Sequence, residues 1–264
     1  TPHYHYVSRP PFTEAEAVRR AIYLAGQTDT PLYIAHMTCR EAIAELQKAK
    51  GTGQRVSGET CTHYLTTTKE VLDNPDFNEA AKFVCSPALR DQEDCEALWQ
   101  ALAGGLLTAV SSDHCGIDVA ELKQAGRDDF TQIPNGSPGA GDRLHMVWTE
   151  GVCTGKLSRQ KFVDVIATQP AKINGIYPRK GTLAVGSDAD IVIFDPSYEG
   201  VIRLADNPNG VDYNLYEGRR QSGRVETVLL RGQVVVENAK FVGRYGQGQF
   251  IPASMYASGY ENRN

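Results

Sequence analysis

Residues 31–60, PLYIAHMTCREAIAELQKAKGTGQRVSGET, read as a strand, a helix and a second strand in quick succession. Pro31 to His36 is a short apolar run of strand length. Arg40 to Lys50 is amphipathic and stops near Gly51 and Gly53, where glycine is the usual helix terminator. Arg55 to Thr60 is the next strand. The pattern continues outward on both sides. Thr13 to Thr28 carries apolar residues at helical spacing behind Thr13 and Glu16, which are placed as a capping box. Phe83 to Ser86 and Leu106 to Ser111 are further strand candidates, and Asp91 is placed to cap a helix running to about Leu102 between them. Strands alternating with helices of this length specify βαβ units and a parallel sheet, whose closed form is a barrel.

Beyond the alternating region lies a Gly/Pro-rich loop at Gly136 to Gly141, followed by helical stretches at Arg143 to Cys153 and Ser158 to Ile166. From about Gly181 the texture turns β-rich. Ile191 to Phe194, Val225 to Leu230 and Val234 to Glu237 are separated by Asp-Pro or Arg-Gly turn signals. The tail from Gly243 is rich in glycine and aromatic residues, with weak periodicity. The expected organisation is therefore α/β: barrel elements over 1–180, a small β-sandwich segment over 181–242 and a C-terminal arm over 243–264. The arm is expected to lie on a neighbouring subunit or on its own barrel.

The 264 residues hold 27 Lys plus Arg against 32 Asp plus Glu, a net charge of −5. With no basic run, this charge argues against a nucleic-acid partner. No apolar run approaches the ~18 residues of a membrane span. The six cysteines stand singly, at 39, 61, 85, 95, 115 and 153, without paired spacing. Such scatter suits reduced cytosolic thiols better than a disulfide framework or a zinc ribbon.

Barrel enzymes place their reacting groups at the carboxyl ends of the strands. Here those ends carry His36; Glu59, Thr60 and Cys61; Ser86 and Pro87; and Ser111, Ser112, Asp113 and His114. A lone histidine at a strand end is more often structural than a ligand, and a lone aspartate can simply cap the next helix. An imidazole and a carboxylate on one rim are also the ligand types that hold Zn²⁺ or a similar ion. A carboxylate beside such an ion can take a proton from the attacking water. The residues alone leave both readings open.

The runs HYVSRP, IAHMTC, GETCTHYL, CSPALR, VSSDHC, FTQIPNGSPG, YPRKGTLAVGSDADIVIFDP and RGQVVVENAKFVGRYGQGQFI span nearly the whole chain. In this order they resemble the dihydropyrimidinase/D-hydantoinase family of cyclic amidohydrolases. The resemblance implies the C-terminal part of a metal-dependent (β/α)8 barrel that hydrolyses the cyclic amide of dihydropyrimidines or hydantoins to N-carbamoyl amino acids. His36 matches a ligand of the second metal of a two-zinc centre. Asp113 matches the last-strand aspartate, which binds the first metal and shuttles the proton. Ser86 and Asn135 match positions that hold the ring's amide and carbonyl groups. The implied partners are a small cyclic ureide and sister subunits in a cytoplasmic homotetramer, with no nucleic acid or membrane.

His63 stands where the family more commonly has glutamine and receives no role. His114 is expected to pack behind its strand, and His145 to be structural. A complete centre of this family also needs a His-x-His pair, a carbamylated lysine and one further histidine, none of which the chain displays. Thr1-Pro2-His3-Tyr4-His5 spells His-x-His, but it follows no apolar strand, and His5 matches the ordinary histidine before VSRP. Eight strands with their helices need on the order of 250 residues. About 180 precede the β-rich segment, so the chain is expected to be the C-terminal half of a longer enzyme. The alternative implied by the same resemblance is a non-catalytic dihydropyrimidinase-like scaffold that acts by oligomerising.

Overall fold

The computed structural model describes residues 1–254, so positions 255–264 of the expected arm lie outside the described residues. The first part of the chain runs α1 (His3–Val7), α2 (Pro11–Gln27), β1 (Leu32–Ile34), α3 (Arg40–Gly51), β2 (Val56–Cys61), α4 (Thr62–Thr66), α5 (Phe77–Ala81), α6 (Gln92–Ala103) and β3 (Ala109–Ser111). The three strands form a parallel sheet in the order β1-β2-β3, with Leu32 opposite Val56 and Glu59 opposite Ala109.

The helical period explains the layering. α3 buries Ala42, Ile43, Leu46 and Ala49, and α6 buries Cys95, Leu98, Trp99 and Leu102; both faces join one core with Leu107 and Val110. Gly58 on β2 is required by this packing, because a Cβ there would stand 2.6 Å from the Met37 sulfur. With a period of two, Glu59 and Cys61 point to the opposite face, toward the interior of the arc. There the Tyr33 hydroxyl donates to Glu59 at 2.6 Å and the Ser111 hydroxyl at 2.8 Å. This is the α/β arrangement of part of a barrel, with helices outside and polar groups within.

Several local expectations are corrected. No strand forms at Phe83 to Ser86. The Val84 carbonyl accepts from the Gly136 N–H at 3.0 Å and from Lys123 Nζ at 3.1 Å, and the Cys85 carbonyl lies 2.7 Å from His5 Nε2. Their acceptors are used by side chains and a loop, so no ladder needs them. Thr13 and Glu16 form no capping box. α2 begins earlier, with Pro11 in its first turn, Thr13 Oγ1 donates to the Pro10 carbonyl at 2.8 Å, and Glu16 pairs with Arg20. Asp91 does occupy the N-cap of α6, yet its carboxylate pairs with Lys69 at 2.6 Å and caps no N–H.

Downstream, α7 (Arg143–Val147) continues through a π-helical turn at Trp148–Val152. α8 (Arg159–Val163) passes through a second π-helical turn, Asp164–Thr168, into α9 (Gln169–Ile173). The β-rich segment is one antiparallel sheet, β4 (Ile191–Val201), β5 (Arg220–Leu230), β6 (Gln233–Glu237) and β7 (Lys240–Phe241), in that order. Asp195-Pro196 is no turn. It lies inside β4, at a register shift between Asp195 and Glu199, where Asp195 accepts from the N–H and hydroxyl of Ser197. Arg231-Gly232 is a turn as expected, with φ of 47° and 78°, the paired positive angles of a type I′ hairpin. Phe194 of β4 meets Trp148 and Phe162, tying this sheet to the helices. Among the described residues no helix is long and apolar enough to cross a membrane.

Candidate metal centre at the carboxyl ends of the parallel strands

Just past β1 stands His36 with φ +40°, and just past β3 stands Asp113 with φ +44°. Left-handed backbone is uncommon for residues with a Cβ, and residues held there gather at ligand sites. The turn after β1 is clamped from below. Thr38 donates its N–H to Glu14 at 2.7 Å and its hydroxyl to the same carboxylate. Arg90 bonds Thr38 Oγ1 at 2.9 Å and Glu14 at 3.1 Å, and the three side chains form a buried ionic network. The Met37 N–H donates to the Glu59 carbonyl at 2.8 Å, so the His36 turn is anchored to β2 as well.

β2 ends between these two residues. Its last residue, Cys61, and His63 in the first turn of α4 are both buried. A sulfur of Cys61, a ring nitrogen of His63 and a carboxylate oxygen of Asp113 lie within 4.8 Å of one another. His63 Nε2 has no hydrogen-bond partner although it is buried. Burial, and then the nearby His36, push the His63 imidazole down to about 3, so the ring is neutral. Burial also drives the Cys61 thiol well above its ordinary range, although Ser111 Oγ lies 3.1 Å away. His63 therefore lies beside Asp113, and His36 is near enough for its charge to be felt at the His63 ring. His36 itself is outside the tight cluster.

Ser86 and Asn135 are brought together from segments far apart in sequence. Both are exposed, and Ser86 Oγ donates to Asn135 Oδ1 at 2.9 Å. Behind them lies an arrangement that sequence reasoning missed. Lys123, fully buried, donates to the Val84 carbonyl at 3.1 Å and to the Pro134 carbonyl at 3.3 Å, joining the two segments. Tyr64 donates to the Pro87 carbonyl at 2.7 Å, and His5 holds Cys85. Burial pushes Lys123 down to about 8 and His5 down to about 4. No motif announces a lysine whose partners are two backbone carbonyls, so nothing in the sequence pattern could have found it. An open cleft of about 640 Å³ is lined by His36, Ser86, Pro87 and Arg90, with Val18 and Ile34 as its apolar wall.

The remaining histidines sort as follows. His3 pairs with Asp73 at 2.7 Å on the surface, and His5 is structural, so the N-terminal His-x-His is no ligand pair. His145 is half-buried and accepts from the Val225 N–H at 3.4 Å, a structural role as expected. His114 is not packed behind its strand. It is exposed, and its Nδ1 accepts from the Gly139 N–H at 3.3 Å because the Gly-rich loop folds over it.

The donor types at this rim, imidazole and carboxylate, suit a divalent transition ion. A catalytic zinc takes three protein ligands, so the described residues fit such a centre in kind, while the one tight donor group among them is Cys61, His63 and Asp113.

Comparisons with known proteins bear on the same region. Residues 25–235 match the model of the amidohydrolase family. The chain is 49% identical over 255 residues to the D-hydantoinase of Ralstonia pickettii, covering 97% of this chain and 55% of that protein. It is 41% identical over 257 residues to the dihydropyrimidinase of Arabidopsis thaliana, covering 97% and 48%. Among solved structures, the dihydropyrimidinase of Brevibacillus agri superposes with a TM-score of 0.95 at 45% identity, covering 97% of this chain and 55% of that one. The L-hydantoinase of Arthrobacter aurescens superposes with a TM-score of 0.83 at 32% identity, covering 91% and 52%. The chain thus spans about half the length of the relatives it matches.

Proposed function

The chain belongs to the amidohydrolase family, and from that premise we propose that it supplies part of the active site of a zinc-dependent dihydropyrimidinase or hydantoinase. The reaction is hydrolysis of a cyclic ureide to an N-carbamoyl amino acid. The observation that supports this reading is the pair His36 and Asp113, both at positive φ just past parallel strands of one sheet, with the Asp113 carboxylate in reach of His63. Zinc, when bound, supplies positive charge for the developing oxyanion and lowers the pKa of the attacking water.

The chain's own residues have separable tasks. His36 and Asp113 bind metal, each fixed by the strand it follows. Asp113, exposed at the rim, also accepts the proton of the attacking water and returns it to the ring nitrogen that leaves. Ser86 and Asn135, joined by their own hydrogen bond, orient the ring's amide and carbonyl groups. Residues 1–180 form the barrel part and 181–242 the β segment, and the described part of the arm, 243–254, lies partly on this chain through Ser254 on the Gly175 carbonyl and offers the rest of its surface to sister subunits in a homotetramer. The free cysteines among the described residues suit a reducing, cytoplasmic setting.

The test is complementation. This chain is co-expressed with the part of the Ralstonia pickettii D-hydantoinase that it does not cover, and the product is assayed for zinc content and for turnover of dihydrouracil and hydantoin. Turnover that disappears in Asp113→Ala supports the reading. Undiminished turnover in that variant, or an assembled but inert complex with full zinc content, overturns it.

A further inference from the structure

We propose that Cys61, His63 and Asp113 form a binding site for a thiophilic divalent cation, of the zinc and cadmium class, separate from His36 and in competition with it for Asp113. Cys61 closes β2 and points to the interior face. His63 follows two positions later, where the chain turns into α4, and Asp113 comes from beyond the adjacent strand β3. Their ligand atoms already lie within 4.8 Å of one another. Around a tetrahedral zinc, the usual bond lengths put such atoms roughly 3.5 Å apart, so closing the site needs a movement of about 1 Å. Asp113 can supply much of it, since it is the exposed member and sits on a loop.

A second observation marks the site independently. His63 Nε2 is buried with no partner, a condition unfavourable in an ordinary protein interior. Sulfur, nitrogen and oxygen together select a soft or borderline cation over magnesium or calcium, which demand all-oxygen shells. The step balances simply: the Cys61 S–H bond breaks, the S–metal bond forms, and the proton passes to solvent. Ser111 is not left stranded, because its hydroxyl remains bonded to Glu59 at 2.8 Å.

The consequence for the proposed enzyme, which rests on the reading above, is antagonism. A cation held by Cys61 and His63 draws Asp113 away from the proton it is meant to carry, so excess thiophilic metal depresses turnover without unfolding the protein.

The experiment uses the 264-residue chain and cadmium alone, followed by the ultraviolet charge-transfer absorption of a cadmium–thiolate bond. Cys153 is exposed and Cys115 half-buried, so the titration is run in a C115S/C153S background. One saturable equivalent is expected, abolished by Cys61→Ser and weakened roughly tenfold or more by His63→Gln and by Asp113→Asn. If Cys61→Ser fails to fold, the His63→Gln titration decides by itself. Absorption that persists in Cys61→Ser, or affinity unchanged in His63→Gln, overturns the site, as does no absorption at all in the background protein. Failure of the complementation assay leaves these outcomes untouched, so the two readings fail separately.

Discussion

The two sheets of this molecule are built on opposite plans. β1, β2 and β3 are three, six and three residues long; β2 and β3 belong to a continuous buried core, and half-buried β1 packs against it. β4 and β5 are eleven residues each, with Val192, Ile193 and Val201 exposed. The antiparallel sheet carries its own backbone ladder and depends little on any one side chain. The parallel region is short of ladder, and buried side chains complete it: Lys123 on Val84 and Pro134, His5 on Cys85, Tyr64 on Pro87, Arg90 and Glu14 around Thr38. The candidate functional residues lie in the second kind of structure. A carbonyl held by a side chain lets the chain leave the strand direction, which is what bringing His36 and Ser86 to one cleft requires.

The comparison breaks most readily at the Glu14–Arg90 pair, whose side chains are 9% and 5% exposed. Arg90→Met leaves the Glu14 carboxylate buried without its cation, and denaturant unfolding is expected to lose about 3–5 kcal/mol. A loss under ~1 kcal/mol would show that the parallel region does not depend on this network. Packing comes next. Leu46 is fully buried between α3 and β2, so Leu46→Ala should cost about 2–5 kcal/mol. Val192→Ala on the exposed face of β4 should stay within about 0.5 kcal/mol. Equal losses at the two positions would erase the contrast between the sheets.

Much of the parallel region was legible because helical and strand periods are written in the apolar residues themselves. α3 and α6 lie close to where Leu46 and Leu98 and their neighbours put them. His36 and Asp113 were legible as polar residues just past apolar strands. Phe83 to Ser86 misled because its apolar run is buried without being a strand; its acceptors are consumed by Lys123, His5 and Gly136, and no pattern records a bond across 39 positions. The same reason hid Tyr64, whose hydroxyl reaches the Pro87 carbonyl 23 positions away, whereas the Cys61–His63 juxtaposition is local and comes from the turn from β2 into α4. Asp195-Pro196 misled in the other direction: turn chemistry was present, and an edge strand absorbed it as a bulge.

A third contrast lies in pH. His5 is buried with its Nε2 on the Cys85 carbonyl, and burial pushes its pKa from 6.5 down to about 4. The unfolded chain therefore takes up this proton first as pH falls. The stabilisation is complete above about pH 6.5 and is lost progressively toward about pH 4, with a slope of up to ~1.4 kcal/mol per pH unit. His5→Gln should flatten that limb of the urea-unfolding stability curve between about pH 7 and about pH 5. An unchanged slope would mean that the Cys85 carbonyl does not depend on a neutral imidazole.

A local effect of the hairpin turn tests the antiparallel sheet on its own terms. Gly232 closes the β5–β6 hairpin at φ +78°, and a Cβ there would meet only Ala189 at 4.0 Å. There is room for the methyl group, so Gly232→Ala isolates the backbone cost of a left-handed residue, about 1 kcal/mol. Arg231 precedes it at φ +47°, where asparagine is the favoured residue of a type I′ turn, so Arg231→Asn should recover a few tenths of that loss in the double variant. Hydrogen exchange across Thr227 to Glu237 would report whether the change stays local. If the ladder rather than its side chains holds this sheet, protection falls near the turn and persists in the β4–β5 pairing. Loss of protection at His36 or Asp113 as well would mean the two regions unfold as one unit, and the side-chain bonds of the parallel region would then be supported by the antiparallel sheet.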